Sequence, residues 1–526
     1  MRDFQRPGRS AAYGERGMVA TSHPLATLAG LDTLRAGGNA VDAALAAAAV
    51  LCVAEPHMTG LGGDGFVLYA PAAGGVLALN GSGRAPAAAT PERFAALGVQ
   101  AIDADSVHSV TIPGAVDAWC RLHVDHGTKP LEELFRPAVE LAERGCLVHP
   151  RVARDWAVHA KRLTHHEATR ALFLPDGQPL PAGARFRNPR LGDTLRRIAR
   201  DGRAGFYEGP VRDGLLRTLE ALGGLHTAED FDAQRCEYVE PIATDYHGHT
   251  VLECPPNGQG VAALMILNTL KGTPAEADSA GEAERVHWLA EATKLAYASR
   301  NAFVGDPRFG DVPVEDLLSE RYAAALRARI RPDAVLPHPP PVVPHRDTVY
   351  LCAVDRDLNA VSFIASLFDA FGSAITAPDS GVLLQCRGRA FRLEPGHPNS
   401  VAPGKRPLHT IIPGMVLRDG KAVMPFGVMG GQYQATGHAQ FIVDVLGRGM
   451  DVQGALERPR SFADGGVLSI ETGHAPAVLD ELRARGHTAD WSPGPIGGGQ
   501  AIRIDRERGL LIGGSDPRKD GCALGW

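Results

Sequence analysis

The chain has 526 residues, with 54 Lys+Arg against 60 Asp+Glu and a formal net charge of −6. That balance leaves no electrostatic footprint for nucleic acid or an anionic lipid surface. Hydrophobic residues at 44% and charged residues at 22% exclude global disorder. Aromatics are scarce at 6%, while 61 Gly and 39 Pro predict many turns, closely packed backbone and function carried by loops. The polar start MRDFQRPGRSAAYGERG lacks a signal-peptide core, and the most apolar stretch, Ala40–Ala54, is too short to span a bilayer and contains Asp42. Eight scattered Cys without a CxxC pair argue against a zinc ribbon, a redox dithiol or a disulfide framework. The expectation is a reduced, cytoplasmic protein with no membrane and no nucleic-acid partner.

In chain order, apolar residues at helical spacing predict a helix over 23–36, ended by Gly37-Gly38. Asn39 can cap a second helix, VDAALAAAAVLCVA, which is apolar nearly all round and therefore buried. The loop TGLGGDG then leads into a strand, FVLYA. Its Gly60, Gly62 and Gly65 formally make GxGxxG, but the loop precedes a strand and no Walker Lys follows, so it reads as a tight backbone turn. Residues 115 to 330 read as mainly helical, with LEELFRPAVELAERG and AERVHWLAEATKLAYASRNAF as the clearest examples. Residues 331–347 carry six prolines in seventeen positions and predict an extended connector. The period then changes: 348–355 and 359–366 are short β-branched, apolar runs joined by a polar turn, and the first is apolar on both faces, as in a covered central strand. Short strands and two helices, near 432–449 and 474–486, complete a layered α/β chain.

The common catalytic motifs are missing: GxSxG, HExxH and an EF-hand loop do not occur. His165-His166 and His247-x-His249 lack a third ligand at metal spacing. Thr348 stands out because a proline-rich loop meets a buried strand there. If the chain were cut before it, its amine, with a pKa of about 8, would sit beside its own hydroxyl and could take that proton. The alternative is a β-branched residue that simply starts a strand.

Eight segments in order resemble the γ-glutamyltranspeptidase family of N-terminal nucleophile hydrolases: AGGNAVDAA (36–44), TGLGGDGF (59–66), GSGRAP (81–86), PNGQG (256–260), DTVYLCAVD (347–355), DSGVLL (379–384), PGKRPLHTIIP (403–413) and VMGGQ (428–432). The resemblance implies a four-layer αββα sandwich and a precursor that cleaves itself between Asp347 and Thr348. The products would be a large piece (1–347) and a small piece (348–526) that remain one intertwined domain, with further dimerisation left open. It also implies roles: Thr348 as nucleophile, Ser366 as supporting hydroxyl, and the Gly430 and Gly431 amides as oxyanion hole. Arg84 matches the clamp on a substrate carboxylate, and Thr410 keeps the second hydroxyl of a Ser-Ser pair. Neither a metal nor an organic cofactor is implied.

Three family positions that grip a glutamyl ammonium are replaced, by Phe368, Arg387 and Ala390, and His409 replaces the first serine of the pair. An apolar ring and a guanidinium offer no acceptor to an ammonium. Arg84, Arg387 and His409 together would suit a small anionic amide. The stretches 371–391 and 395–413 resemble the oxamate amidohydrolase branch, which implies hydrolysis of a small 2-oxo acid amide. The alternatives are a γ-glutamyltransferase or glutathione hydrolase, a C–C bond hydrolase on a 2-keto acid, and an inactive homologue kept as a binding protein.

Overall fold

A computed structural model describes residues 8–338 and 348–526. Fourteen strands build two seven-stranded sheets, and every pairing within them is antiparallel. In chain order the strands are Ala12–Gly14 (β1), Met18–Thr21 (β2), Asp64–Ala70 (β3), Leu77–Gly81 (β4), Glu237–Val239 (β5), Ile242–Tyr246 (β6), His249–Glu253 (β7), Val349–Val354 (β8), Ala360–Ser366 (β9), Gly414–Arg418 (β10), Lys421–Met429 (β11), Gly498–Asp505 (β12), Leu510–Ser515 (β13) and Cys522–Gly525 (β14). One sheet runs β1-β13-β12-β11-β10-β7-β6 and the other β14-β2-β8-β9-β3-β4-β5.

Period-two alternation explains the layering. On β8, Tyr350, Cys352 and Val354 point between the sheets, where they meet Phe66, Met415 and Ile502. Val349, Leu351 and Ala353 point the other way, against helix Ala40–Ala54. Helices Pro24–Arg35 (α1), Ala40–Ala54 (α2), Ala115–His126 (α3) and Leu131–Arg144 (α4) lie on that outer side. Helices Gly260–Leu270 (α5), Glu282–Phe303 (α6) and Gln434–Ile442 (α7) cover the other sheet, over Val251, Val416 and Val428. The result is the expected four-layer αββα sandwich.

Asn39 caps α2 through a reciprocal box with Asp42. The predicted helix LEELFRPAVELAERG is observed over Leu131–Arg144 and runs through Pro137 without ending. Residues 331–338 contain no helix, and the rest of the proline-rich connector lies outside the described residues. The mainly helical reading of 115–330 needs one correction: β5, β6 and β7 fall inside it, β5 and β6 as edge strands of the two sheets and β7 between β6 and β10. Among the described residues no helix is long and apolar enough to cross a membrane, and all eight cysteines are free thiols.

Candidate active site

Thr348 is fully buried at the entrance to β8. The β8–β9 register pairs Val349 with Ala365, so one further step sets Thr348 opposite Ser366, which is itself paired with Asp64 of β3. The Thr348 hydroxyl donates to Ser366 Oγ over a long 3.4 Å and accepts from Gln434 Nε2 at 3.2 Å. Ser366 Oγ also accepts the Phe368 amide at 2.9 Å. The TGLGGDG turn is what allows this crowding. A Cβ at Gly63 would stand 2.4 Å from the Ser366 carbonyl oxygen, and one at Gly62 only 2.2 Å from that of Leu383. The backbone-turn reading of this loop therefore holds. Asp347, the other half of the expected processing site, lies outside the described residues.

Gly430 and Gly431 join the end of β11 to the helical segment that becomes α7. Their φ values, 123° and 59°, lie in the left-handed half of backbone space. A Cβ on Gly430 would fall 2.9 Å from Gly497 Cα. Amides at the start of a helix have no intrahelical acceptor and carry its positive dipole end. The turn is fixed from behind by Gln259, which donates to the carbonyls of Gly431 (3.2 Å) and Thr410 (2.7 Å). Buried Arg300 in turn donates to Gln259 Oε1 and, at 2.8 Å, to Gln432 Oε1.

Arg387 is fully buried. Its Nη1 donates to Thr410 Oγ1 at 3.1 Å, and the guanidinium lies 4.3 Å from the centre of the Phe368 ring. Nε and Nη2 make no hydrogen bond among the described residues. Burial lowers its pKa to about 10, against the pull of Asp64, so it remains a cation near neutrality. Phe368 has φ of 83°, a strained value for a non-glycine residue, and it presents its ring beneath that cation. A buried guanidinium with open donors is costly unless an anion completes it.

The other two expected cations behave differently. His409 is buried, with Nε2 2.9 Å from Asp64 Oδ2. Burial and the nearby Arg387 hold its pKa at about 3, so it is a neutral ring near pH 7. Asp64 is the local hub: its Oδ1 also accepts Gly83 N (2.9 Å), Gly114 N (3.2 Å) and Gln385 Nε2 (2.9 Å). Arg84 points to Glu237, Nη2 to Oε1 at 2.7 Å, and Arg406 shares that carboxylate at 2.9 Å. The anticipated cluster of three positive charges is thus reduced to one uncompensated guanidinium, Arg387.

Two clefts flank these residues. Ala390, Phe368, Thr410 and Gln432 line one of about 350 Å³. Gly430, Tyr433, Asp369 and Arg162 line a larger one of about 630 Å³. Arg389 lines both and pairs with Asp369 at 2.5 Å. Sequence reasoning missed Gln434, Asp64, Gln259 and Arg300. The PNGQG and TGLGGDGF segments contain two of them, Gln259 and Asp64, but only the tertiary structure shows where their side chains point.

Known proteins resemble this chain over nearly its whole length. The family profile described as Gamma-glutamyltranspeptidase matches residues 26–526. The chain is 37% identical to the "Glutathione hydrolase-like YwrD proenzyme" of Bacillus subtilis (strain 168), over 98% of this chain and 99% of that one. It is 36% identical to the "Oxamate amidohydrolase proenzyme" of Klebsiella pneumoniae, over 98% and 100%. Among solved structures, cephalosporin acylase from Bacillus halodurans superposes with a TM-score of 0.93 at 39% identity, covering 100% of this chain and 99% of that one.

Proposed function

The chain belongs to the gamma-glutamyltranspeptidase family, amidohydrolases of the N-terminal nucleophile fold, and from that premise we propose that it matures by self-cleavage at Thr348 and hydrolyses a small 2-oxo acid amide such as oxamate. The observation that carries this reading is Arg387, a buried guanidinium with two nitrogens that make no hydrogen bond among the described residues, stacked on Phe368, whose amide donates to Ser366 Oγ beside Thr348.

In maturation, Thr348 Oγ attacks the Asp347 carbonyl carbon. The peptide C–N bond breaks, its nitrogen takes the proton, and water hydrolyses the resulting ester to give the Asp347 carboxylate and a free Thr348 amine. That amine, with a pKa of about 8, then accepts the hydroxyl proton as Oγ adds to the substrate carbonyl. The amides of Gly430 and Gly431 hold the oxyanion, while Arg387 holds the neighbouring carboxylate. The leaving amine departs with the proton from Thr348, and water releases the acid. Proenzyme relatives support two pieces from one precursor, here 1–347 and 348–526.

A second reading, an amide with a bulkier amine or a γ-glutamyl donor, is favoured by the larger cleft beside Gly430, which oxamate alone would leave mostly vacant. Intact mass followed by ammonia release from oxamate and from glutamine separates the two. Two pieces divided at Thr348 and ammonia from oxamate support the first reading. Ammonia from glutamine alone would overturn it, and a single species near 55.6 kDa that never matures would leave the inactive-homologue alternative. Thr348→Ala should remain full length and inactive.

A further inference from the structure

A second convergence of side chains lies where α6, the turn after helix Pro476–Ala484 (α8) and residues 331–338 meet. His287 and Glu291, one turn apart on α6, are buried, and so is His487. One ring nitrogen from each histidine and one carboxylate oxygen lie within 4.8 Å of one another. His287 Nε2 is 2.7 Å from the Arg331 carbonyl oxygen. A carbonyl only accepts, so Nε2 bears the proton and Nδ1 of the neutral ring is a bare lone pair. That lone pair faces His487 Nε2 at 2.8 Å. His487 Nδ1 makes no hydrogen bond among the described residues and stands 4.0 Å from Glu291 Oε1.

We propose that His287, His487 and Glu291 form a structural site for a divalent transition-metal ion, zinc being the best match, with the fourth position open to His338. Two imidazoles and a carboxylate are a donor set that zinc accepts. His287 already hands its outer N–H to a backbone carbonyl, the contact that fixes tautomer and ring orientation in metal-bound histidines. Zinc–nitrogen bonds of about 2.0–2.1 Å in tetrahedral geometry put two nitrogens about 3.3 Å apart, so the facing pair need open by only about half an ångström. His338, with an enclosed Nδ1 that makes no hydrogen bond among the described residues, is an electrostatic neighbour of Glu291 and His487.

A competitor is built in. Lys294 Nζ lies 2.7 Å from Glu291 Oε1 and 3.0 Å from the Leu336 carbonyl. The ion and the ammonium therefore contend for one carboxylate oxygen, and Lys294 keeps the Leu336 carbonyl when displaced. Because 331–338 leads into the segment before Thr348, a bound ion would fasten that stretch to His487 on the far side of the proposed cut.

The test is calorimetric titration of chelator-treated full-length protein with Zn2+, together with visible absorption of the Co2+ form. Expected are one ion per chain and the intense absorption of four-coordinate cobalt. His287→Ala should weaken binding by at least about tenfold and Lys294→Gln should strengthen it by a comparable factor. The lysine variant removes no ligand, so it reports even if His287→Ala fails to fold. Absence of saturable binding in the unmodified protein, or an affinity that neither substitution moves, would overturn the site.

Discussion

Gln434 reaches Thr348 from the first turn of α7, donating to its hydroxyl oxygen at 3.2 Å, while its own Oε1 accepts the Ile412 amide at 3.1 Å. The side-chain amide thus links the proposed nucleophile to the non-strand segment before β10 that carries Thr410. Gln434→Glu keeps the acceptor for Ile412 but loses the donor. Loss of a hydrogen bond between neutral groups, worth about 0.5–1.5 kcal/mol, should slow conversion of the precursor by about 2–12-fold, read from the half-time of the full-length band. Wild-type processing in this variant would remove Gln434 from the machinery.

Arg387 makes a pH prediction. Its cation persists below a pKa of about 10 and is lost above it, so kcat/KM for an anionic amide should fall as pH rises through 10. An ordinary arginine would hold activity to much higher pH. Arg387→Met should cost at least about 100-fold in kcat/KM for oxamate, as expected for losing a charge-assisted pair, and leave a neutral amide little affected. Equal losses on both substrates would mean the residue only supports the fold.

Gly430→Ala joins two penalties, a side chain at φ of 123° and a Cβ 2.9 Å from Gly497 Cα. The turn must move, and oxyanion stabilisation is sensitive to small displacements of its donors. Turnover should drop by about 10²–10³-fold with little change in the far-ultraviolet circular dichroism. Stopped assays on the purified variant decide it; near-normal turnover would place the oxyanion elsewhere.

Buried histidines set the acid limit. Burial first, then neighbouring cations or histidines, holds His23 and His409 at about 3, and burial holds His226 at about 4. The unfolded chain takes up protons near 6.5 and the folded chain does not, so stability falls as pH drops from about 6.5 toward 4. Each fully refused proton contributes a slope of about 1.4 kcal/mol per pH unit. Urea midpoints at pH 7, 6 and 5 should decline steadily, and His409→Gln should flatten the decline. A constant midpoint would contradict the buried neutral rings.

Local signals announced the elements that are locally determined. Asn39 and Asp42 sit three apart and cap α2, and Val349–Val354 is apolar on both faces because both are covered. The strands Ile242–Tyr246 and His249–Glu253 escaped notice because their pattern is partly exposed and brief; pairing of the second with β10, and of the first with the second, supplies what propensity did not. The charge of the site was hardest to read. Arg84, Arg387 and His409 look alike on paper, yet Glu237 pairs with the first and burial neutralises the last. His287 and Glu291 are four apart on one helix, but His487 joins them from two hundred residues away, a distance no spacing rule spans.

Strand ownership in the second sheet carries a mechanical consequence. β2, from before Thr348, pairs with β8, from after it, and β9 then pairs back to β3. The proposed scission at Thr348 would therefore open a covalent end without creating a seam along which the halves could slide apart. Pulling them apart would mean unzipping central ladders, so the cleaved molecule should melt in one transition, as a single cooperative unit with two extra termini.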